Sequence, residues 1–156
     1  MKAKKGRWWL TEGSEDTVID TTPDRVYAMV ADLPRMGEWS PECVRAEWED
    51  GATGPGVGAH FRGYNRAGTF EWNAPCIVTD CEPGRVFAFA VPPTGSAVNR
   101  WRFEFAPSAT GTTLTESFDA PAINVEGSAA NFEGRFEMLV KAINQTIANI
   151  KAAAEA

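Results

Sequence analysis

The sequence predicts an α+β fold in which a curved antiparallel sheet of about seven strands wraps around one long C-terminal helix. Three observations predict it. From Ala130 to Ile150, the residues Phe132, Phe136, Leu139, Val140, Ile143, Ile147 and Ile150 recur at steps of three and four, and Glu133, Arg135, Glu137, Lys141, Asn144, Gln145, Asn149 and Lys151 fill the other side. That is a helical period with a single apolar stripe, which must be buried against something. Upstream, short alternating runs are separated by Gly-Pro turn chemistry, the pattern of hairpins. Between the first such run and the rest, a proline-opened segment reads as two short helices.

Taken in order, Thr17 to Thr21 alternates and reads as a first strand. Thr22 and Pro23 then fit the N-cap and first position of a helix, where proline's missing N–H costs nothing. Val26, Met29, Val30 and Leu33 form its apolar side, and Pro34 ends it. Arg35 to Pro41 reads as a second short turn of helix or a loop carrying Trp39. Strands are expected at Val44 to Glu49, Ala59 to Arg66, Phe70 to Asp80, Val86 to Val91, Val98 to Phe105 and Thr112 to Phe118. Gly54-Pro55-Gly56, Ala67-Gly68, Glu82-Pro83-Gly84, Pro92-Pro93-Thr94-Gly95 and Pro107 to Gly111 supply the turns. A bulge or sheet edge is expected at Pro75. Ser128 is the expected N-cap of the closing helix.

At 156 residues the chain reads as a single domain over 1–156, with residues 1–12 as a tail or irregular segment. Apolar residues are 44% and charged residues 23%, ordinary usage for a soluble protein. A net charge of −6 argues against nucleic acid, which demands a basic footprint. Trp8-Trp9-Leu10 is too short for a signal-peptide core, and no apolar run is long enough to span a membrane. Three cysteines, Cys43, Cys76 and Cys81, match no zinc spacing, and His60 is the single histidine. No metal or cofactor is expected, and reduced thiols point to the cytoplasm. Cys76 and Cys81, five positions apart, would face opposite sides of one continuous strand.

Strand parity assigns the faces. Trp101, Phe103 and Phe105 share one face; so do Phe87, Phe89 and Val91, and likewise Val44, Ala46 and Trp48. Phe70, Trp72, Cys76 and Val78 align unless a bulge intervenes. Two polar residues fall on these inner faces: Asn65, mate of Phe61 and Gly63, and Glu116, between Leu114 and Phe118. A lone carboxylate among aromatics must be paired or protonated. Either residue could orient a polar group on a ligand, be satisfied internally, by each other, by water or by an arginine, or lie at a strand end that is simply exposed. His60 takes the opposite parity from Phe61, which leaves no histidine for nucleophilic catalysis.

Several segments carry a family likeness. They are Thr22 to Tyr27, Trp39-Ser40-Pro41-Glu42, Gly58 to Arg66, Trp72, Cys76, Glu82 to Phe89, and Gly111 to Ser117. Together with the element order, they make the chain resemble the helix-grip fold of the START/Bet v 1-like (SRPBCC) superfamily. Within it, the chain resembles the polyketide cyclase/dehydrase and lipid transport-like group. The resemblance covers about Thr17 to Ile150. It implies a hydrophobic ligand cavity between sheet and closing helix, with its mouth near Trp39 and the Ala120 to Gly127 loop. In the cyclases of this group an arginine with hydroxyl or amide partners polarises carbonyls; Asn65 is the best local match, with Arg66 or Arg62 contributing only if the strand bulges. The expected function is binding of an apolar or aromatic small molecule, a lipid or polyketide-like metabolite. The expected ligand-binding residues are Trp39, Phe61, Asn65, Trp72, Phe89, Trp101, Phe103, Glu116, Phe118 and Phe136, with no catalytic residue assigned. One alternative is a polyketide aromatase/cyclase or dehydratase. Another is a protein-interaction module with a collapsed cavity. A homodimer stays open.

Overall fold

The computed structural model describes residues 11–92 and 98–156. Trp8-Trp9-Leu10 and the Pro93-Thr94-Gly95 part of the expected loop lie outside the described residues. The strands are β1 (Glu12–Ile19), β2 (Cys43–Glu49), β3 (His60–Ala67), β4 (Phe70–Glu82), β5 (Val86–Val91), β6 (Asn99–Ser108) and β7 (Gly111–Asp119). Helix α1 (Pro23–Ala31) and a 3₁₀ turn (Leu33–Glu38) follow β1, a second 3₁₀ turn (Pro121–Asn124) follows β7, and α2 (Arg135–Glu155) closes the chain. The seven strands form one antiparallel sheet in the order β1-β7-β6-β5-β4-β3-β2. This is the expected helix-grip arrangement. Glu12 already belongs to β1, and Thr11 O accepts from Ala120 N at 2.8 Å, so the irregular segment ends sooner than expected.

Local chemistry sets the helix boundaries. The backbone N–H of Arg25 donates to Thr22 Oγ1 at 3.4 Å, so Thr22 caps α1 and Pro23 opens it as expected. The closing helix starts at Arg135 rather than Ala130, because Gly134 takes a left-handed φ of 92° and interrupts the period. Ser128 instead closes a local turn, with its Oγ accepting from Ala130 N at 3.1 Å. Asn131 Nδ2 donates to Ile123 O at 2.7 Å, which holds this stretch as loop. Phe132 therefore precedes the helix and stays half-exposed.

Two bulges correct the expected faces. Pro75 lies in regular register opposite Arg62, upstream of the stretch where β5 pairs with β4. The irregularity comes later, between Val78 and Asp80, with Thr79 as the extra residue. It reverses the parity, so Cys81 pairs with Phe87 and joins Cys76 on the inner face instead of opposing it. Tyr27 Oη and Cys81 Sγ then hydrogen-bond at 2.9 Å. In β2 the register shifts between Cys43 and Arg45; Val44 turns outward to 42% exposure and Cys43 takes the inward place.

The buried apolar residues form two clusters. The larger joins Ile19, α1, Phe87, Phe103, Phe105, Leu114, Ile147 and Ile150. The smaller joins Phe118, Ala120, Ile123, Leu139 and Ile143 with Phe136 and Val140. Trp101 packs against both. The backbone of α2 runs closest to β1, one outer strand of the sheet. There Lys151 Nζ donates to Val18 O at 2.5 Å. On the far side, Asn149 Nδ2 donates to Trp39 O at 2.9 Å, next to the turn that packs on β2.

Candidate functional site

Alternation along β7 turns Thr112, Leu114, Glu116 and Phe118 inward. Leu114 belongs to the larger cluster and Phe118 to the smaller, so Glu116 stands where the two part. Its cross-strand neighbours are Phe103 on β6 and the half-buried Glu15 on β1. Glu116 is 5% exposed, and its Oε1 has no hydrogen-bond partner among the described residues. Burial alone holds this carboxyl well above the usual carboxylate range, which favours its protonated form. A neutral carboxylic acid in an apolar interior is a hydrogen-bond donor aimed at whatever can accept.

Asn65 lies on the same side of the sheet, in β3. Among the described residues its amide has a single long bond, Nδ2 to Gly63 O at 3.5 Å, and it pairs with Cys43 on β2 and Trp72 on β4. Four strand spacings, roughly 19 Å along the sheet, separate β3 from β7, so Asn65 and Glu116 do not satisfy each other. Next to Asn65, a Cβ on Gly63 would stand 3.5 Å from Cys43 Sγ and 3.9 Å from Asn65 Nδ2. Burial raises the Cys43 thiol, and it pushes Cys76 up to about 12, so both stay protonated and weakly nucleophilic.

Arg135 was expected on the polar side of the closing helix, and the structure turns it inward. It is 9% exposed and grips Glu42 with both arms, Nη1 to Oε2 at 2.8 Å and Nη2 to Oε1 at 2.6 Å. Its guanidinium stands 5.8 Å from the Trp72 ring centre. The signal lay in the spacing: Arg135, Leu139 and Ile143 follow at steps of four, which puts Arg135 on the apolar stripe. The arginines considered first point elsewhere. Arg62 bonds Glu49 and Asn73, and Arg66 bonds Glu71, all alternating away from Phe61 and Gly63.

Five of the predicted aromatics, Phe61, Phe89, Trp101, Phe118 and Phe136, form a connected wall. Phe61 meets Phe89 edge-on at 5.1 Å between ring centres, and Phe89 stacks on Trp101 at 6.1 Å. Trp101 pairs with Phe118, which meets Phe136 at 5.8 Å. Phe103 is buried beside Glu116. Trp72 stacks on Phe70 at 5.3 Å, nearer the hairpin end. Trp39 is almost fully buried in the larger cluster, so its ring is core rather than an open rim. His60 is half-exposed, 3.8 Å from Asp50. A depression of about 550 Å³ is lined by the Asp50 to His60 loop and gathers none of these aromatics.

The family profile described as polyketide cyclase / dehydrase and lipid transport matches residues 11–155. The chain belongs to that family. Three solved structures show how this polyketide cyclase/dehydrase family member compares in fold. Protein CV1439 from Chromobacterium violaceum is 14% identical, with a TM-score of 0.68 over 94% of this chain and 99% of that one. The di-domain ARO/CYC StfQ from the steffimycin biosynthetic pathway is 16% identical, with a TM-score of 0.71 over 93% of this chain and 50% of that one. The Polyketide_cyc-like protein Cgl2372 from Corynebacterium glutamicum is 29% identical, with a TM-score of 0.55 over 93% of this chain and 89% of that one. No curated protein matches this family member. Among its described residues, no helix is long and apolar enough to cross a membrane.

Proposed function

We propose that the protein holds an apolar or aromatic small molecule between the sheet and α2, with Glu116 donating a hydrogen bond to a carbonyl or hydroxyl oxygen of that molecule. The observation that carries this is the buried, partnerless Oε1 of Glu116 at the junction of the two apolar clusters. A polar group so placed costs free energy unless something engages it. The aromatic wall from Phe61 to Phe136 supplies apolar contact, worth about 25 cal/mol per Å² buried, offset by ordering costs. Asn65 offers a second polar contact farther along the sheet. The test is a titration of intrinsic Trp fluorescence with flavonoid-like aromatics, fatty acids and sterols. Binding that weakens about tenfold in Glu116→Leu supports the reading. A flat response to every ligand defeats it.

Membership of the cyclase/dehydrase family favours a second reading, in which the bound molecule is a polyketide chain that is cyclised or dehydrated. A protonated Glu116 would polarise a ketone toward attack, or hand its proton to a departing hydroxyl, which leaves as water, while the resulting carboxylate takes the proton from the adjacent carbon as the double bond forms. Glu116→Gln separates the two readings. The amide still donates a hydrogen bond, so binding persists, while proton transfer is lost. Product profiling with a reactive polyketide chain reads the difference, and unchanged turnover in Glu116→Gln would remove the acid role.

A further inference from the structure

We propose that the Arg135–Glu42 ion pair is a clasp across the entrance to the space between sheet and α2, and that a ligand passes only when the pair parts. This rests on the reading that a molecule is held there. Topology makes the argument. Helix α2 lies along β1, while β2 is the opposite edge of the sheet. The chain between α1 and β2 is tied to α2 by two side-chain bridges, Asn149 to Trp39 O and Arg135 to Glu42. Along α2 the two anchors are 149 − 135 = 14 residues apart, about 21 Å. Along the other segment they are 42 − 39 = 3 residues apart, at most about 11 Å. The difference is made up by the two long side chains, so Arg135 and Glu42 span the wider end of the gap.

The pair is built to open. Its side chains are 10% and 17% exposed, at the boundary of the interior, so parting it carries a cost that keeps the clasp closed most of the time, while one side of each group already meets water. The Trp72 face gives the guanidinium a second resting place. Apolar surface waits nearby: Phe132 is 47% exposed three residues before Arg135, and Phe70, stacked on Trp72, is 57% exposed.

The experiment compares wild type, Glu42→Gln and the charge-swapped Glu42→Arg/Arg135→Glu protein. Amide hydrogen exchange reads the clasp without any ligand. Stopped-flow binding of an anilinonaphthalene sulfonate dye reads passage. In Glu42→Gln the amides of Cys43 and Met138 should exchange about tenfold faster while those of β6 and β7 hold steady. The dye's on- and off-rates should rise together, leaving Kd within about threefold. The charge swap should return both readouts toward wild type. Unchanged exchange at Cys43 and Met138, or equal acceleration in β6 and β7, overturns the clasp. Faster exchange with unaltered dye rates overturns the gating, and a rise in off-rate alone shows that the pair touches the ligand instead. A wild-type protein that binds no dye removes the gating along with the reading it rests on, whereas the exchange data still decide whether the clasp exists.

Discussion

The two ends of the interior are made of different materials. Around Ile19, Phe87, Leu114 and Ile150, the large side chains are apolar and fully buried, and α1 contributes Val26, Val30 and Ala31 to the same cluster. Around Phe118, Phe136, Arg135 and Trp72, the Phe136 and Trp72 rings are only half-buried and the charge of Arg135 comes indoors. The same α2 serves both ends, with Ile147 and Ile150 at one and Arg135 and Phe136 at the other. Close packing of apolar side chains gives stability; the other end adds polar and half-buried groups to its apolar ones. Glu116 sits at the border and belongs to neither.

Truncation should break the comparison most visibly. Leu114→Ala removes a fully buried side chain from the packed end and should cost about 2–5 kcal/mol by denaturant unfolding. Phe136→Ala, at the half-buried end, should cost distinctly less, and equal losses would erase the contrast. Next comes the border. The Glu116 carboxyl keeps its proton in the folded protein above the ordinary value of 4.5, where the unfolded chain loses it. Raising the pH therefore favours the unfolded state, and stability should fall by up to about 1.4 kcal/mol per unit from that point until the raised folded-state value is passed. Glu116→Gln should abolish this component, so the variant gains on wild type as pH rises. A pH-independent difference would show that Glu116 is ionised when folded.

Smaller effects sharpen the picture. Gly63→Ala adds a methyl to the inner wall at ordinary contact distances from Cys43 and Asn65. Stability should change by less than about 1 kcal/mol, because the site has space. Ligand affinity, read by Trp fluorescence, should drop because that space is filled. Smallest of all, Arg66→Ala on the exposed face should shift stability by no more than about 0.5 kcal/mol.

Much of this was legible in the sequence, and the failures share a cause. The stripe from Phe136 to Ile150 and the parity of Phe103, Glu116 and Phe118 read correctly because periodicity reports burial directly. Thr79 and Val44 were illegible because a bulge has no compositional signature; each inserts one residue and reverses the parity after it. The start of α2 was misread because Gly134 looks like any glycine until its φ is known. Arg135 was misread by residue type, since a charged side chain suggests the wet face unless its partner, 93 residues away, is known.

The outer strands carry one more consequence, for how molecules of this protein meet each other. An open sheet has two raw edges, and a raw edge is a template for another chain. Here Lys151 occupies the Val18 carbonyl on β1, and the Val44 bulge twists β2 out of regular pairing. Glu12, Glu15 and Asp16 add like charge along β1. Among the described residues, these features make both edges poor templates for another strand.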